Sequence, residues 1–166
     1  MKHASLCIDF DGTICDTNLL KAKWIKDHLG IEINSWQCDY TSCVPIIGEE
    51  NYKRAAVVYS AEYTKSAQPI PGALEFLKEW PVDIPVYILT ARKEEAFHLI
   101  EEWLSFYNAL HCVAGFFSSK KEAKLKKAHT LHALALIDDD MRHLVNEEDF
   151  TGKRILFKYR KPKDQK

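Results

Sequence analysis

Two aspartates, Asp9 and Asp11, close a short apolar run, residues 5–10, and Gly12 follows them. Side chains two residues apart on an extended strand point to the same face, so both carboxylates can reach one ligand. A carboxylate can attack phosphorus as a nucleophile. A second carboxylate can protonate the leaving oxygen and then deprotonate the attacking water. Because Gly12 also permits a sharp turn beside a bound phosphate, the segment favours phosphoryl chemistry.

Polar residues also follow two later apolar runs. Thr90 follows 86–89, and the aspartates 138–140 follow 133–137. In a parallel α/β sheet the carboxyl ends of the strands share one edge, and we expect these residues to converge there. Several carboxylates together repel one another and need a cation. An all-oxygen site suits Mg²⁺, and a threonine hydroxyl and a lysine ammonium could hold phosphoryl oxygens beside it.

Strands that alternate with helices must position these residues. Apolar runs predict the strands 5–10, 86–89, 112–117, 133–137 and 154–157. Helical spacing predicts the helices 16–28, 49–66, 73–80, 94–107 and 121–128, with another helix starting near 141. We predict loop or irregular structure for 31–48. The order indicates an α/β fold, a Rossmann-like three-layer parallel sheet with a helical insertion after the first strand.

Length and composition limit the class of protein. The chain has 166 residues and a net charge of −1, so we expect one catalytic unit and no nucleic-acid polymer as partner. No apolar run approaches a membrane span, and no signal peptide is evident, so we expect a cytoplasmic protein. Five cysteines without paired spacing indicate free thiols. A zinc site from Cys38, Cys43 and a histidine is the weaker alternative.

Four segments together resemble the haloacid dehalogenase (HAD) superfamily. Residues 9–13, Asp-Phe-Asp-Gly-Thr, match its first motif, D-x-D-G-T. Residues 86–90 look like the second motif, an apolar strand that ends in threonine. Residues 136–139 look like the fourth, an apolar strand that ends in two acids. A lysine between them is the third, so all four occur in the family's order.

The resemblance implies a role for each of these residues. Asp9 would be the nucleophile and a metal ligand, and Asp11 the general acid/base with its backbone carbonyl on the metal. Thr90 would bind the phosphoryl group. Asp139 would ligate Mg²⁺, with Asp138 as a ligand or beside one. The residues expected around the phosphate are Gly12, Thr13, Thr90, Ala91, Arg92 and Lys121.

The catalytic lysine is ambiguous, since several lysines lie between residues 120 and 127. We favour Lys121, because a lysine that opens the helix with Leu125 four residues on resembles the family pattern. Lys124 is the runner-up, and Lys120 is also in range.

The insertion resembles the small C1 cap of the same superfamily. This assigns 1–14 and 70–166 to the catalytic core and 15–69 to a lid that excludes water and selects the substrate. The stretch from Pro69 to Lys158 looks most like the 5′(3′)-deoxyribonucleotidase branch. Aromatic residues of the cap would either stack on a nucleobase or pack its core. They are Trp24, Trp36, Tyr40, Tyr52, Tyr59 and Tyr63.

The function predicted is therefore a Mg²⁺-dependent phosphatase acting on a small phosphorylated metabolite or nucleotide through an aspartyl-phosphate. A phosphotransferase or phosphomutase of the same fold remains open, because the sequence does not show which hydroxyl accepts the phosphoryl group. A phospho-receiver domain is disfavoured, since there the acidic pair ends the first strand. A silent binding protein is disfavoured by the presence of both Asp9 and Asp11. The sequence does not predict an oligomeric state.

Overall fold

The computed structural model describes residues 4–160 and is built on a parallel sheet of five strands. The strands are β1 (Ser5–Ile8), β2 (Val86–Thr90), β3 (Gly115–Ser118), β4 (Ala133–Asp138) and β5 (Lys153–Leu156). Their spatial order is β3-β2-β1-β4-β5, and every neighbouring pair is parallel. β2 and β3 lie on one side of β1, and β4 and β5 lie on the other side. The topological switch point, where ligands bind in such sheets, therefore lies between β1 and β4.

Seven α-helices accompany the sheet within the described residues. They are α1 (Thr17–Leu29), α2 (Tyr40–Ile47), α3 (Glu49–Arg54), α4 (Ala61–Ser66), α5 (Ala73–Glu79), α6 (Phe97–Phe106) and α7 (Lys124–Thr130). Short 3₁₀ segments occur at Ser35–Gln37, Ala55–Tyr59, Glu94–Ala96, Leu110–Cys112 and Met141–His143. The predicted α/β class, with a parallel sheet and a helical insertion after β1, is confirmed.

The two faces of the sheet bury alternate residues of β1. Leu6 and Ile8 face one apolar cluster, which includes Ile100 and Trp103 of α6. Cys7 faces a second cluster, which includes Leu125 of α7. A parallel strand buried on both sides explains the continuous apolar run before Asp9. Burying an aliphatic side chain completely stabilises the fold by about 1.5–3 kcal/mol. The packing of Leu6 and Ile8 therefore holds β1 in place in the sheet.

Several predicted boundaries were wrong. The region 31–48, predicted as irregular, contains α2, which Asp39 caps by accepting from the backbone N–H of Ser42 at 3.1 Å. Pro45 lies inside α2 and removes only one helical hydrogen bond, so the cap signal outweighs it. The helix predicted over 49–66 is broken, because Ser60 is extended between a 3₁₀ segment and α4. The strand predicted over 112–117 begins at Gly115.

The insertion, predicted over residues 15–69, has an apolar cluster of its own. Its buried members are Trp24, Ile25, Cys38, Cys43, Ile47, Ala55 and Val58. The two ends of the insertion lie side by side. The backbone N–H of Ile70 donates to the carbonyl of Ile14 at 2.8 Å, and Cys15 and Pro69 form an isolated antiparallel β-bridge. The insertion therefore leaves and rejoins the sheet at the carboxyl end of β1.

The structure also shows the state of the cysteines and the lengths of the helices. All five cysteines are free thiols, and four of them are buried. Among residues 4–160, no helix combines the length and the apolar character that crossing a bilayer requires.

Candidate active site

A tight loop carries the chain from β1 into the insertion. The carbonyl of Phe10 accepts backbone N–H groups from Ile14 at 3.0 Å and Cys15 at 2.9 Å. Gly12 has a φ of 83°, in the left-handed region that favours glycine. A Cβ on Gly12 would collide with the side chains of Asp139 and Asn18. The glycine thus lets the loop lie directly against the aspartate that follows β4.

Three aspartates converge at the carboxyl edge of the sheet. The backbone N–H of Asp9 donates to Ile137 at 2.8 Å, which aligns the end of β1 with the end of β4. One carboxylate oxygen from each of Asp9, Asp138 and Asp139 lies within 4.8 Å of the others. All three side chains are buried. The convergence expected from the strand ends therefore occurs between β1 and β4.

Lys124 joins this acidic cluster. Its Nζ donates to Oδ1 of Asp9 and to Oδ2 of Asp138, at 2.6 Å in each case. Burial opposes the ammonium charge, but the two carboxylates outweigh it and raise the pKa of Lys124. Burial likewise opposes the charge on Asp138, yet Lys124 and His143 lower its pKa below the ordinary value. The Lys124–Asp138 pair therefore favours its charged form, and the hydrogen bond between the two side chains holds the lysine in place.

The remaining carboxylates carry an excess of negative charge. Burial, followed by repulsion from Asp138, raises the pKa of Asp139 to about 7. Burial also raises the pKa of Asp9, and the partial offset from Lys124 does not cancel it. Lys124 pairs with Asp9 and Asp138, Asp139 makes no ion pair among the described residues, and all the ligand atoms of the three carboxylates are oxygens. That donor set fits a hard divalent cation such as Mg²⁺.

No cysteine–histidine group with metal-binding geometry occurs within residues 4–160, where the aspartate trio is the single candidate group. The alternative zinc site at Cys38 and Cys43 therefore has no support in this part of the chain.

Lys121, the favoured lysine, lies outside the acidic cluster, so its predicted placement was wrong. Its side chain is 71% exposed, and its Nζ pairs with Glu94 at 2.7 Å. The reason is the start of α7, which begins at Lys124 rather than at Lys121. Residues 119–122 form a turn after β3, and this turn displaces Lys121 onto the surface. The runner-up, Lys124, occupies the expected position.

Asp11 lies at the cleft and is held by a buried arginine. Arg92 donates Nε and Nη2 to the two oxygens of Asp11 at 2.8 and 2.7 Å. Its Nη1 donates to the hydroxyl of Thr64 in α4 at 2.9 Å. The backbone N–H of Arg92 donates to Thr90 Oγ1 at 3.1 Å. Arg92 therefore links the strand end at Thr90, the carboxylate of Asp11 and the insertion.

The other residues expected around the phosphate divide into two groups. Ala91 and Arg92 line the cleft, as do Asp9 and Asp11. Thr90 and Thr13 form the second group, because both are buried and neither lines the cleft. Within the described residues, Thr13 Oγ1 has no hydrogen-bond partner. Gly12 lies beneath Asp139, so it shapes the acidic cluster from below.

The cleft between the sheet edge and the insertion has a volume of about 520 Å³. Its wall includes Asn18, which the sequence analysis did not single out, and Asp140, the last of the three aspartates after β4. Asn18 donates to Asp139 Oδ2 at 2.7 Å. Asp140 accepts from Thr41 Oγ1 at 3.0 Å and from Arg142 Nη2 at 2.7 Å, and so it ties α2 to the end of β4.

Lys21 is another buried polar residue of this wall, and here the sequence carried a signal. It precedes Trp24 by three residues and Ile25 by four, so it lies on the buried face of α1. A lysine on such a face is rarely buried without a partner. Asn18 lies on the same face three residues earlier, but its hydrogen bond is to Asp139, 121 positions away, which the sequence does not indicate.

No protein-family model and no curated protein matches this sequence. Solved structures do match its fold. A HAD-like hydrolase from Streptococcus pneumoniae superposes with a TM-score of 0.62 and 16% identity, covering 93% of this chain and 84% of that one. A candidate phosphoglycolate phosphatase from Lactobacillus plantarum gives 0.62 and 14%, covering 93% and 86%. A candidate HAD hydrolase from Bacillus subtilis, bound to magnesium, gives 0.52 and 14%, covering 95% and 96%.

These identities are low, so the likeness establishes the fold. The chain has the fold of the HAD-like hydrolases, and each of the first two superpositions covers 93% of it. The resemblance predicted from the four motifs is confirmed at this level.

Proposed function

We propose that this protein is a Mg²⁺-dependent phosphatase that hydrolyses a small phosphomonoester through an aspartyl-phosphate on Asp9. The observation that carries the proposal is the hydrogen bond from Lys124 Nζ to Asp9 Oδ1, 2.6 Å long, within the cluster of three aspartates at the sheet edge. Among the described residues, the other oxygen of Asp9 has no hydrogen-bond donor, which leaves it available for attack on phosphorus. The hydrolase fold of the matching structures is in keeping with this chemistry.

Asp9 would attack phosphorus in line with the ester oxygen. A bond forms between a carboxylate oxygen and phosphorus as the bond to the leaving oxygen breaks, and Asp11 supplies the proton to that oxygen. Asp11 then takes a proton from a water molecule, which attacks the same phosphorus. The acyl phosphate bond breaks, inorganic phosphate leaves, and Asp9 returns as a carboxylate. Arg92 orients Asp11 through hydrogen bonds to both carboxylate oxygens, and one of these bonds must break before Asp11 carries the proton that it gives to the leaving oxygen.

Bound Mg²⁺ would offset the charge of the phosphate, so that a carboxylate can approach it. We assign Asp9 and Asp139 as side-chain ligands, and the resemblance adds the backbone carbonyl of Asp11. Asp138 is better suited to hold Lys124, because its oxygens already accept from Lys124, from His143 and from the backbone of Asp140. Lys124 would stabilise negative charge that develops on the phosphoryl group.

The first test is release of phosphate from an aryl phosphate, with and without Mg²⁺. Asp9→Asn should lower kcat by about a thousandfold or more, since a nucleophile has no substitute. The matched control is Asp83→Asn, which changes an exposed aspartate just before β2. If Asp9→Asn or EDTA leaves the rate unchanged, the mechanism is wrong.

The finer specificity is tested by a substrate panel. Nucleoside monophosphates belong in it because of the resemblance to the deoxyribonucleotidase branch. Three of the aromatic residues of the insertion line the cleft, namely Tyr40, Tyr52 and Tyr59. A phosphotransferase would instead pass the phosphoryl group to an added alcohol in preference to water. A protein that retains one phosphate per chain without turnover would indicate a receiver-like role.

A further inference from the structure

The wall of the cleft contributed by the insertion contains a buried lysine without an acidic partner. Lys21 is 1% exposed. Its Nζ donates to the carbonyl of Cys38 at 3.0 Å, to Tyr52 Oη at 3.1 Å and to Tyr59 Oη at 2.7 Å. An ammonium has three donor hydrogens, so these three neutral acceptors satisfy it. Its positive charge, however, is not neutralised by any contact within the described residues.

The two tyrosine hydroxyls consequently have hydrogens to give. Each oxygen accepts from Lys21, so its own hydrogen must point elsewhere. Within the part of the chain that the structure describes, neither hydroxyl has an acceptor, and both tyrosines line the cleft. Burial raises the pKa of Tyr52, which keeps its proton in place. A neighbouring ammonium polarises each O–H group and strengthens it as a donor.

Several cationic side chains also line this part of the cleft, alongside Asp39 and Asp140. Arg142 lies over the ring of Tyr40 at 3.6 Å, and Asp140 holds it there. Lys93 and Lys120 are exposed at the rim of the same cleft. This wall differs from the acidic cluster at the sheet edge, where the cation and the phosphoryl group would bind. Donors backed by positive charge fit a second negative group on the ligand.

We propose that Tyr52 and Tyr59, backed by Lys21, form a second anion subsite. The preferred substrates are then phosphomonoesters whose leaving group carries a carboxylate or another phosphate. This inference rests on the proposed function, because the phosphoryl group to be cleaved must occupy the acidic end of the cleft. A purely structural Lys21, which only fastens α1 to the tyrosines, would give no such preference.

The test measures binding of phosphonates that cannot be hydrolysed, by calorimetry with Mg²⁺ present. The probes are 3-phosphonopropionate, which adds a carboxylate, and propane-1,3-bisphosphonate, which adds a second phosphonate. Propylphosphonate is the reference without the second anion. Wild-type protein should bind at least one of the doubly anionic probes about tenfold or more tightly than the reference, as charge-assisted hydrogen bonds require. The probe with the larger gain identifies the anion.

Tyr59→Phe should remove most of that preference, and Tyr52→Phe should reduce it. Both changes delete a hydroxyl and leave every charge in place, so a preference due only to the surrounding lysines would survive them. Tyr63→Phe is the matched control, since Tyr63 packs against the cluster of the insertion and does not line the cleft. Lys21→Met is avoided as the main variant because it risks unfolding the insertion.

Two results would overturn the subsite. One is equal binding of all three phosphonates, or no binding, by the wild type. The other is a preference that Tyr59→Phe leaves unchanged in folded protein. Because phosphonates are not turned over, a protein that shows the preference but hydrolyses no ester refutes the proposed function alone. Hydrolysis without the preference refutes the subsite alone.

Discussion

Replacing Lys124 with Met removes the ammonium that lies between Asp9 and Asp138, with one oxygen of each aspartate 2.6 Å from it. Removing one partner of a buried ion pair costs about 3–5 kcal/mol, because the remaining charge has lost its compensation. Total stabilities of domains are about 5–15 kcal/mol, so the loss is a large fraction. The methionine has a similar length and packs in the same space, which confines the change to the charge.

The pH dependence of this loss identifies its cause. Lys124 holds the pKa of Asp138 below its ordinary value of 3.8. Without the lysine that carboxyl can take up a proton, and the destabilisation should shrink as the pH falls toward 5. Added Mg²⁺ should restore part of the stability at pH 8, because a cation replaces the missing charge. Turnover should fall by about 10²–10³, the cost of losing one group that stabilises transition-state charge.

The assay is urea unfolding of the metal-free protein at pH 8 and pH 5, together with steady-state hydrolysis of an aryl phosphate. Lys121→Met is the matched control, since it makes the same substitution three residues earlier at an exposed ion pair. It should change neither stability nor turnover measurably. Equal effects of the two variants, or a larger effect of Lys121→Met, would refute the assignment of Lys124.

Three further outcomes follow from the geometry. Gly12→Ala should destabilise the protein by about 1–3 kcal/mol in urea unfolding, because alanine is strained in the left-handed backbone conformation of this position. The added Cβ would also collide with Asp139 and Asn18, so Mg²⁺ binding measured by calorimetry should weaken. The folded chain raises the pKa of Asp139 from 3.8 to about 7 and so binds that proton more tightly than the unfolded chain does. The metal-free protein should therefore lose up to about 4 kcal/mol as the pH rises from about 4 to 7, in urea titrations, and Mg²⁺ should reverse the trend. Arg92→Lys should lower kcat more than it raises KM, because a lysine cannot bond both oxygens of Asp11, and unchanged kinetics would show that this orientation is unimportant.

The local elements were largely predictable because each depends on neighbouring residues. The run before Asp9 is apolar at every position, as a strand buried on both faces requires. The α/β order of the elements then placed Asp9, Thr90 and Asp138 at strand ends. Errors arose where competing local signals were nearly balanced. At α2 the cap of Asp39 prevailed over Pro45, and before α7 the turn over 119–122 moved the start of the helix.

The sequence by itself determined the fold class and the central pair Asp9 and Asp11, because hydrophobic periodicity and strand-end residues are local properties. Only the tertiary structure decided between Lys121 and Lys124. A lysine at either position suits a helix start, but Lys124 opens α7 and is buried, whereas Lys121 lies in the turn before the helix and is exposed. The structure also decided that Lys21 meets Tyr52 and Tyr59, which lie 31 and 38 positions away. Contacts between residues so far apart in sequence depend on how the insertion folds back over the sheet edge. No local pattern of residues predicts that path.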